Sequence, residues 1–262
     1  MLILTYYEEE LLEDIRRLLK DKEVFGIYKR AYDEFRPLIN AMNKIVLRVY
    51  KYNDHGIIHA LLTTRRSLEI YHILKKKGYR MTSEELGGDE KWSKFVISIA
   101  SLLHDLGNAI HRRHHYTFSV ILVKDKIFEY AKDLVGEDQY LLPAYLTLDA
   151  IFSHDETVES ITMEASIVTM ADGLDIEAGR SRLRHDPNTI DIHSVSAYSI
   201  NKVLIEENDD KEVPLKVVIH MNNLAGVFQV DEILRKKVEN SLLVGKVLVE
   251  IIANNKKMIR RI

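Results

Sequence analysis

Apolar residues recur at three- and four-residue steps along most of the chain. Phe25, Tyr28, Ala31, Tyr32 and Phe35 fall on one side of a helix, and the pattern predicts helices over 7–20 and 23–50. Pro37 is expected to interrupt or bend the second of these. A further helix is predicted over 57–77, ending in Lys75-Lys76-Lys77 before Gly78, a basic last turn and a stop. The segment from Met81 to Glu90, with its Gly87-Gly88 pair, reads as a loop. Residues 92–108 then read as a core helix, and 115–135, 139–153 and 157–179 as three more. After Gly179 the pattern changes. Residues 194–206 and 213–222 read as strands around the polar turn Glu206-Glu207-Asn208-Asp209-Asp210. A helix near 231–241 and a third strand over 246–253 follow. The expected fold is mainly α, with a small C-terminal α+β module containing antiparallel strands. The expected division is a helical domain over 1–185 and the module over 186–262.

One helix departs from ordinary amphipathicity. Wound at ~100° per residue, Phe95, Ile99, Leu102 and Leu106 form one stripe, widened by Val96, Leu103 and Ile110. The other side holds Ile97, Ala100, Ser101, His104, Asn108 and His111, and near its start it carries no charge. Such a helix is expected to be buried all round, which places His104 and Asp105 where solvent is scarce. Burying an unpaired charge costs several kcal/mol unless a partner or a metal compensates.

Composition narrows the chemistry. The 262 residues are 46% hydrophobic, enough for a large core, and carry a formal net charge of −3. That balance argues against a general nucleic-acid binder. With no cysteine, disulfides, Cys-ligated zinc, iron–sulfur clusters and thiol nucleophiles are all excluded. No apolar run approaches the ~20 residues a bilayer span needs. Met1-Leu2-Ile3-Leu4 runs at once into Glu8-Glu9-Glu10, unlike a signal peptide, so a cytoplasmic protein is expected. Only two glutamines and 29% charged residues suit a thermophile.

Histidine and aspartate recur in or beside the apolar helices: His55 and His59, the doublet His104-Asp105, His111, His114 and His115, then His154 and Asp172. Each has a bland reading. The doublet can be a buried hydrogen-bonded pair, and His55 with His59, four apart, a surface or cap feature. His111-Arg112-Arg113-His114-His115 can be a solvated basic loop or an anion site, and His154 before Asp155-Glu156 a cap. Asp172, inside Ile167-Val168-Thr169-Met170-Ala171-Asp172-Gly173, is harder to explain that way. Five such positions in one helical region point to a single convergent site, and His with Asp is good ligand chemistry for a divalent cation.

The ordered set His59, His104-Asp105 and Asp172 resembles the HD superfamily of metal-dependent phosphohydrolases. The local contexts agree: Asp54-His55-Gly56-Ile57-Ile58-His59-Ala60, Leu103-His104-Asp105-Leu106-Gly107-Asn108, and Met170-Ala171-Asp172-Gly173-Leu174-Asp175. The resemblance covers roughly residues 50–180. His115 and His154 stand where the two-metal branch places further ligands, with His114 as the alternative to His115. Three features depart from the family. Asn108 replaces a frequent lysine, a Gly-Tyr-Pro motif is missing, and Asp155 rather than histidine follows His154. The stretches around Gly179-Arg180-Ser181-Arg182, Ile192-His193-Ser194 and Ala225-Gly226-Val227-Phe228 resemble archaeal and bacterial HD proteins with an appended α+β module.

The resemblance implies one or two divalent ions, Mn, Fe, Co, Ni or Zn, held by His59, His104, Asp105, His115, His154 and Asp172. It implies hydrolysis of a phosphomonoester or phosphodiester of a small nucleotide-like molecule by metal-activated water. Asp105 would bridge the metals and orient the water, and His55 would donate a proton to the leaving oxygen or support the ligands from behind. Arg180 and Arg182, with Arg184, are expected to bind substrate phosphate, aided by Arg66 seven residues after His59. Their alternatives are ion pairs with Asp175, Glu177 and Asp186, or a subunit contact in a homo-oligomer. Two other functions stay open: di-iron oxygen chemistry, as in inositol oxygenases of the superfamily, and a regulatory nucleotide-binding module with an idle metal site.

Overall fold

The computed structural model describes residues 2–178, 192–254 and 256–262. Eight helices come first: α1 Leu2–Leu19, α2 Lys22–Ile45, α3 Ile57–Lys76, α4 Thr82–Glu85, α5 Glu90–Leu103, α6 His115–Val135, α7 Leu141–Phe152 and α8 Met163–Gly173. The Asp21 carboxylate starts α2 by accepting from the Glu23 and Val24 amides, and Asp89 does the same for α5 at Lys91 and Trp92. In α2 the apolar stripe Val24, Ile27, Tyr28, Ala31, Phe35, Ile39 and Met42 is buried. Each fully buried aliphatic or aromatic side chain of this kind contributes about 1.5–3 kcal/mol. Pro37 does not break α2. It sits on the exposed face between Phe35 and Ile39, where water can take the carbonyl its missing N–H leaves unpaired. A single π-helical turn, Val46–Tyr50, ends this long element, with Lys51 left-handed after it.

Every residue of α5 from Trp92 to Leu103 is buried, Ser93, Lys94, Ser98 and Ser101 included, in agreement with a helix expected to be buried all round. The helix stops at Leu103, though, short of the expected 108. His104 and Asp105 occupy the turn before a 3-10 segment, Leu106–Ala109. Local chemistry holds this early stop. The Asn108 amide donates to the Asp105 carbonyl at 2.9 Å, and the Ser119 hydroxyl of α6 donates to the His104 carbonyl at 2.5 Å. Carbonyls that further helical turns would have paired are thus paired otherwise. Two further departures are α4, a single helical turn within the segment expected to be a loop, and α8, which runs from Met163 to Gly173 rather than over 157–179 and is capped by the Thr162 hydroxyl.

The C-terminal part begins with α9, Ile192–Ala197, where a strand was expected from 194. Strands β1 Ile200–Glu207, β2 Leu215–Met221, β3 Val247–Ala253 and β4 Lys256–Arg261 form one sheet in that order. β1–β2 and β3–β4 are antiparallel, but β2 and β3 run parallel, Leu215 opposite Val247 and Met221 opposite Ala253. A parallel pair needs a crossover. A 3-10 turn, Leu224–Gly226, leads into α10 Val227–Gln229, a π-helical turn Val230–Arg235 and α11 Lys236–Glu239. The fold is therefore mainly α with a small α+β module. One hydrophobic cluster runs from Leu11 and Ile15 of α1 through α8 to Leu234, Val238 and the sheet. The boundary expected at 185/186 lies outside the described residues. No helix among the described residues is long and apolar enough to cross a membrane.

Candidate metal centre

Five chain segments deliver their polar side chains to one buried place. α3 brings His59 two residues past its start, and His55 lies just before it. Gly56 opens that turn because a Cβ there would stand 2.5 Å from the Asn43 amide nitrogen. The stop of α5 presents His104 and Asp105, the first residue of α6 is His115, His154 follows α7, and Asp172 lies in the last turn of α8. Gly107 lets α6 close on this turn. A Cβ there would be 1.9 Å from the His115 carbonyl oxygen. His59, His104, His115 and His154 are each at most 4% exposed, and Asp105 and Asp172 are also buried.

Asp105 lies at the centre with one oxygen toward each of two histidine pairs. Its Oδ2 is 3.4 Å from His59 Nε2 and 3.3 Å from His104 Nε2. Its Oδ1 is 3.4 Å from His115 Nε2 and 3.8 Å from His154 Nε2. Within the pairs the Nε2 atoms are 3.2 Å and 3.0 Å apart. Asp172 Oδ1 joins the first pair, 3.1 Å from His59 and 3.7 Å from His104. His55 Nδ1 donates to Asp105 Oδ2 at 2.6 Å, and Asn108 Nδ2 to Asp105 Oδ1 at 3.0 Å.

The far side of three rings shows which nitrogen carries a hydrogen. His59 Nδ1 meets Asp175 Oδ2 at 2.7 Å, His104 Nδ1 the Ser101 carbonyl at 2.9 Å, and His154 Nδ1 the Ile151 carbonyl at 2.6 Å. These oxygens only accept, so each Nδ1 carries a hydrogen, and in the neutral ring each Nε2 is left with its lone pair. Two lone pairs at such a separation repel unless a cation lies between them. Donors held about 2.1 Å from one cation lie about 3.0 Å apart at a right angle and about 3.4 Å at a tetrahedral one. Six of the eight observed separations, 3.0–3.4 Å, match this range, and His104–Asp172 at 3.7 Å and His154–Asp105 at 3.8 Å are longer. The buried groups His59–His104–Asp172, His104–Asp105–His154 and His55–His59–Asp105 can each hold a metal ion.

Burial opposes charge on Asp105, but the neighbouring His55 and His104 hold its carboxyl well below the usual carboxylate range. Burial likewise opposes charge on Asp172, and the Lys237 ammonium overcomes it. Burial pushes His154 down to about 4, so its ring is neutral near neutral pH.

A cavity of about 350 Å³ opens onto the cluster. Its wall includes His55, Asp105, His115, His154 and Asp172, with Tyr52 and Arg112 on one side and Gln229, Glu232, Ile233 and Lys237 of the crossover helix on another. The structure thus gathers His59, His104, Asp105, Asp172, His115, His154 and His55. His114 is exposed with positive φ and bonds the Tyr116 hydroxyl, so His115 is the residue that faces in. Arg66 is a correction. It is buried away from the cavity wall, pairing with Asp175 at 3.4 Å and Glu177 at 3.0 Å. Arg180, Arg182 and Arg184 lie outside the described residues. Sequence reading missed Asp175 as the partner of His59. It also missed Lys237, which bonds Asp172 Oδ2 at 2.8 Å.

Fold and site together define a mainly helical protein whose buried His/Asp cluster can hold metal. Over 221 residues the chain is 34% identical to the uncharacterized protein MJ1020 of Methanocaldococcus jannaschii, covering 82% of this chain and 85% of that one. The chain belongs to the family of that protein. No family model matches it, and no solved structure does.

Proposed function

We propose that this protein is a metal-dependent phosphohydrolase of the HD superfamily, cleaving a phosphomonoester or phosphodiester of a small nucleotide-like molecule. The observation that carries the reading is the central Asp105, with one oxygen toward His59 and His104 and the other toward His115 and His154. This donor set of imidazole and carboxylate suits two divalent ions from among Mn, Fe, Co, Ni and Zn. His59, His104, Asp172 and Asp105 would hold one, and His115, His154 and Asp105 the other. Ions bound there supply a nucleophilic water near neutral pH and polarise a phosphoryl oxygen.

The chain's own residues do the rest. Asp105, held by His55 and Asn108, keeps its two oxygens oriented. His55 stands at the cavity wall with Nδ1 on Asp105. Its Nε2 is the atom from which a proton reaches the leaving oxygen. Arg112 supplies positive charge at the wall for a phosphate. Arg112 takes this place although Asn108 stands where the family often has lysine. Its Nη1 donates to Asn108 Oδ1 at 3.2 Å.

The test is elemental analysis of the purified protein with a screen of phosphomonoesters, nucleotides and cyclic dinucleotides. Bound transition metal and turnover on one of these classes, lost in His104→Ala and Asp105→Ala with the fold intact, is the expected result. Full occupancy in both variants would sink the metal assignment. Iron-dependent oxygen uptake on a diol, or tight nucleotide binding without turnover, would sink the hydrolase.

A further inference from the structure

The buried ammonium of Lys237 comes from the crossover helix of the C-terminal module, yet it reaches the helical half. It lies 2.8 Å from Asp172 Oδ2 and 2.5 Å from the His154 carbonyl oxygen, with Glu156 further off at 3.9 Å. It therefore touches one residue of each histidine pair's surroundings. The Asp172 carboxylate is divided: Oδ1 faces His59 and His104, and Oδ2 faces the lysine. The His154 contact holds the backbone from which the ring points at His115. A second feature makes room for this reach. At Gly173 a Cβ would stand 2.9 Å from Lys237 Cδ, so the residue next to Asp172 has no side chain where the lysine stem passes. Alanine would be the better helix former at that place.

We infer that Lys237 is a positioning residue of the metal centre, so that the site is complete only with the C-terminal module docked on α8. The inference rests on the metal reading given above. By occupying Oδ2, the ammonium leaves Asp172 one oxygen for the cluster. By holding the His154 carbonyl, it ties the second histidine pair to the same helix. Partners of this kind, one bond behind the ligands, typically govern metal affinity by 10–100-fold. The module is thereby part of the site rather than an appendage.

Cobalt(II) titration of the metal-stripped full chain, read by calorimetry and visible absorption, tests this with Lys237→Met, Lys237→Arg and Gly173→Ala. Lys237→Met should bind cobalt about 10–100-fold more weakly. Its absorption per bound ion should also fall, because Asp172 can then offer both oxygens and raise the coordination number. Lys237→Arg should recover most of both. Gly173→Ala, which keeps the charge but displaces the stem, should weaken binding in the same direction, and it stands as the test if Lys237→Met does not fold. Unchanged or tighter binding with an unchanged spectrum in a folded Lys237→Met overturns the inference, as does unchanged binding in Gly173→Ala. Wild-type chain that takes up no cobalt overturns the metal reading itself, which separates the two failures.

Discussion

At Asp175 two side chains meet that sequence spacing had assigned to different tasks. His59 and Arg66, seven apart on α3, share a face, as helical geometry requires, and both reach this carboxylate. The shared face was legible, but its direction was not. That face packs inward, so the arginine orients a carboxylate that in turn fixes His59. The gathered histidines and aspartates were legible for a physical reason: ionisable groups in apolar helical runs need compensation, and there are too many here for independent local pairs. Lys237 was hidden in Arg235-Lys236-Lys237, a run that reads as a solvated basic face. Only the docking of α11 on α8 shows that the third of these points inward. The two histidine pairs carry a prediction. On the two-ion proposal, His115→Ala should lower metal stoichiometry from about two per chain to about one, leaving the site at His59, His104 and Asp172. Asp105→Ala should lower it to near zero. Elemental analysis of both variants decides, and equal stoichiometry in the two would contradict the shared carboxylate.

Among the elements, the junction of α5, the 3-10 turn and α6 controls the site most directly. Its glycine admits no side chain, because the His115 carbonyl lies where a Cβ would go. Gly107→Ala should therefore push α6 outward, at a cost of about 3 kcal/mol or more in unfolding free energy. It should weaken metal binding at His115 and His154 before it affects His59 and His104. Chemical denaturation together with metal stoichiometry checks both halves of that expectation. The early end of α5 was not legible, since Leu106 and Ile110 continue the apolar stripe past the doublet. The competing bonds from Asn108 and Ser119 are what end it. Helix α6, by contrast, runs from His115 to Val135 as its pattern predicts. Strand β4 was missed because Lys256, Lys257, Arg260 and Arg261 leave no alternation to read. It is an exposed edge strand, and charge on such an edge discourages pairing with other chains. The parallel pairing of β2 with β3 follows from the crossover helix, whose role as a bridge to α8 no local pattern announces.

At the scale of the whole molecule, the metal-free chain carries buried ionisable groups whose protonation differs between folded and unfolded states. His154 is lowered to about 4, so between roughly pH 6.5 and 4 the unfolded chain binds a proton there that the folded chain does not. Stability should fall as pH drops through that window. Asp105 and Asp172, both held well below the carboxylate range, add a further loss below their unfolded values near ~3.9. Thermal unfolding of metal-free protein at stepped pH should show the first loss, and His154→Gln should flatten it. A flat profile from pH 7 to 4.5 in the wild type would contradict the burial of a neutral ring. The central carboxylate has a consequence for how the two halves of the site communicate. Because Oδ1 and Oδ2 of Asp105 belong to one rigid group, an ion taken up beside His59 and His104 fixes the orientation offered to His115 and His154, and adds its charge nearby. The two occupancies are then linked, and by thermodynamic reciprocity each alters the affinity of the other by the same factor. If two ions bind as proposed, the binding curve should not be the sum of two independent steps, and the sign of its departure reports whether orientation or repulsion dominates.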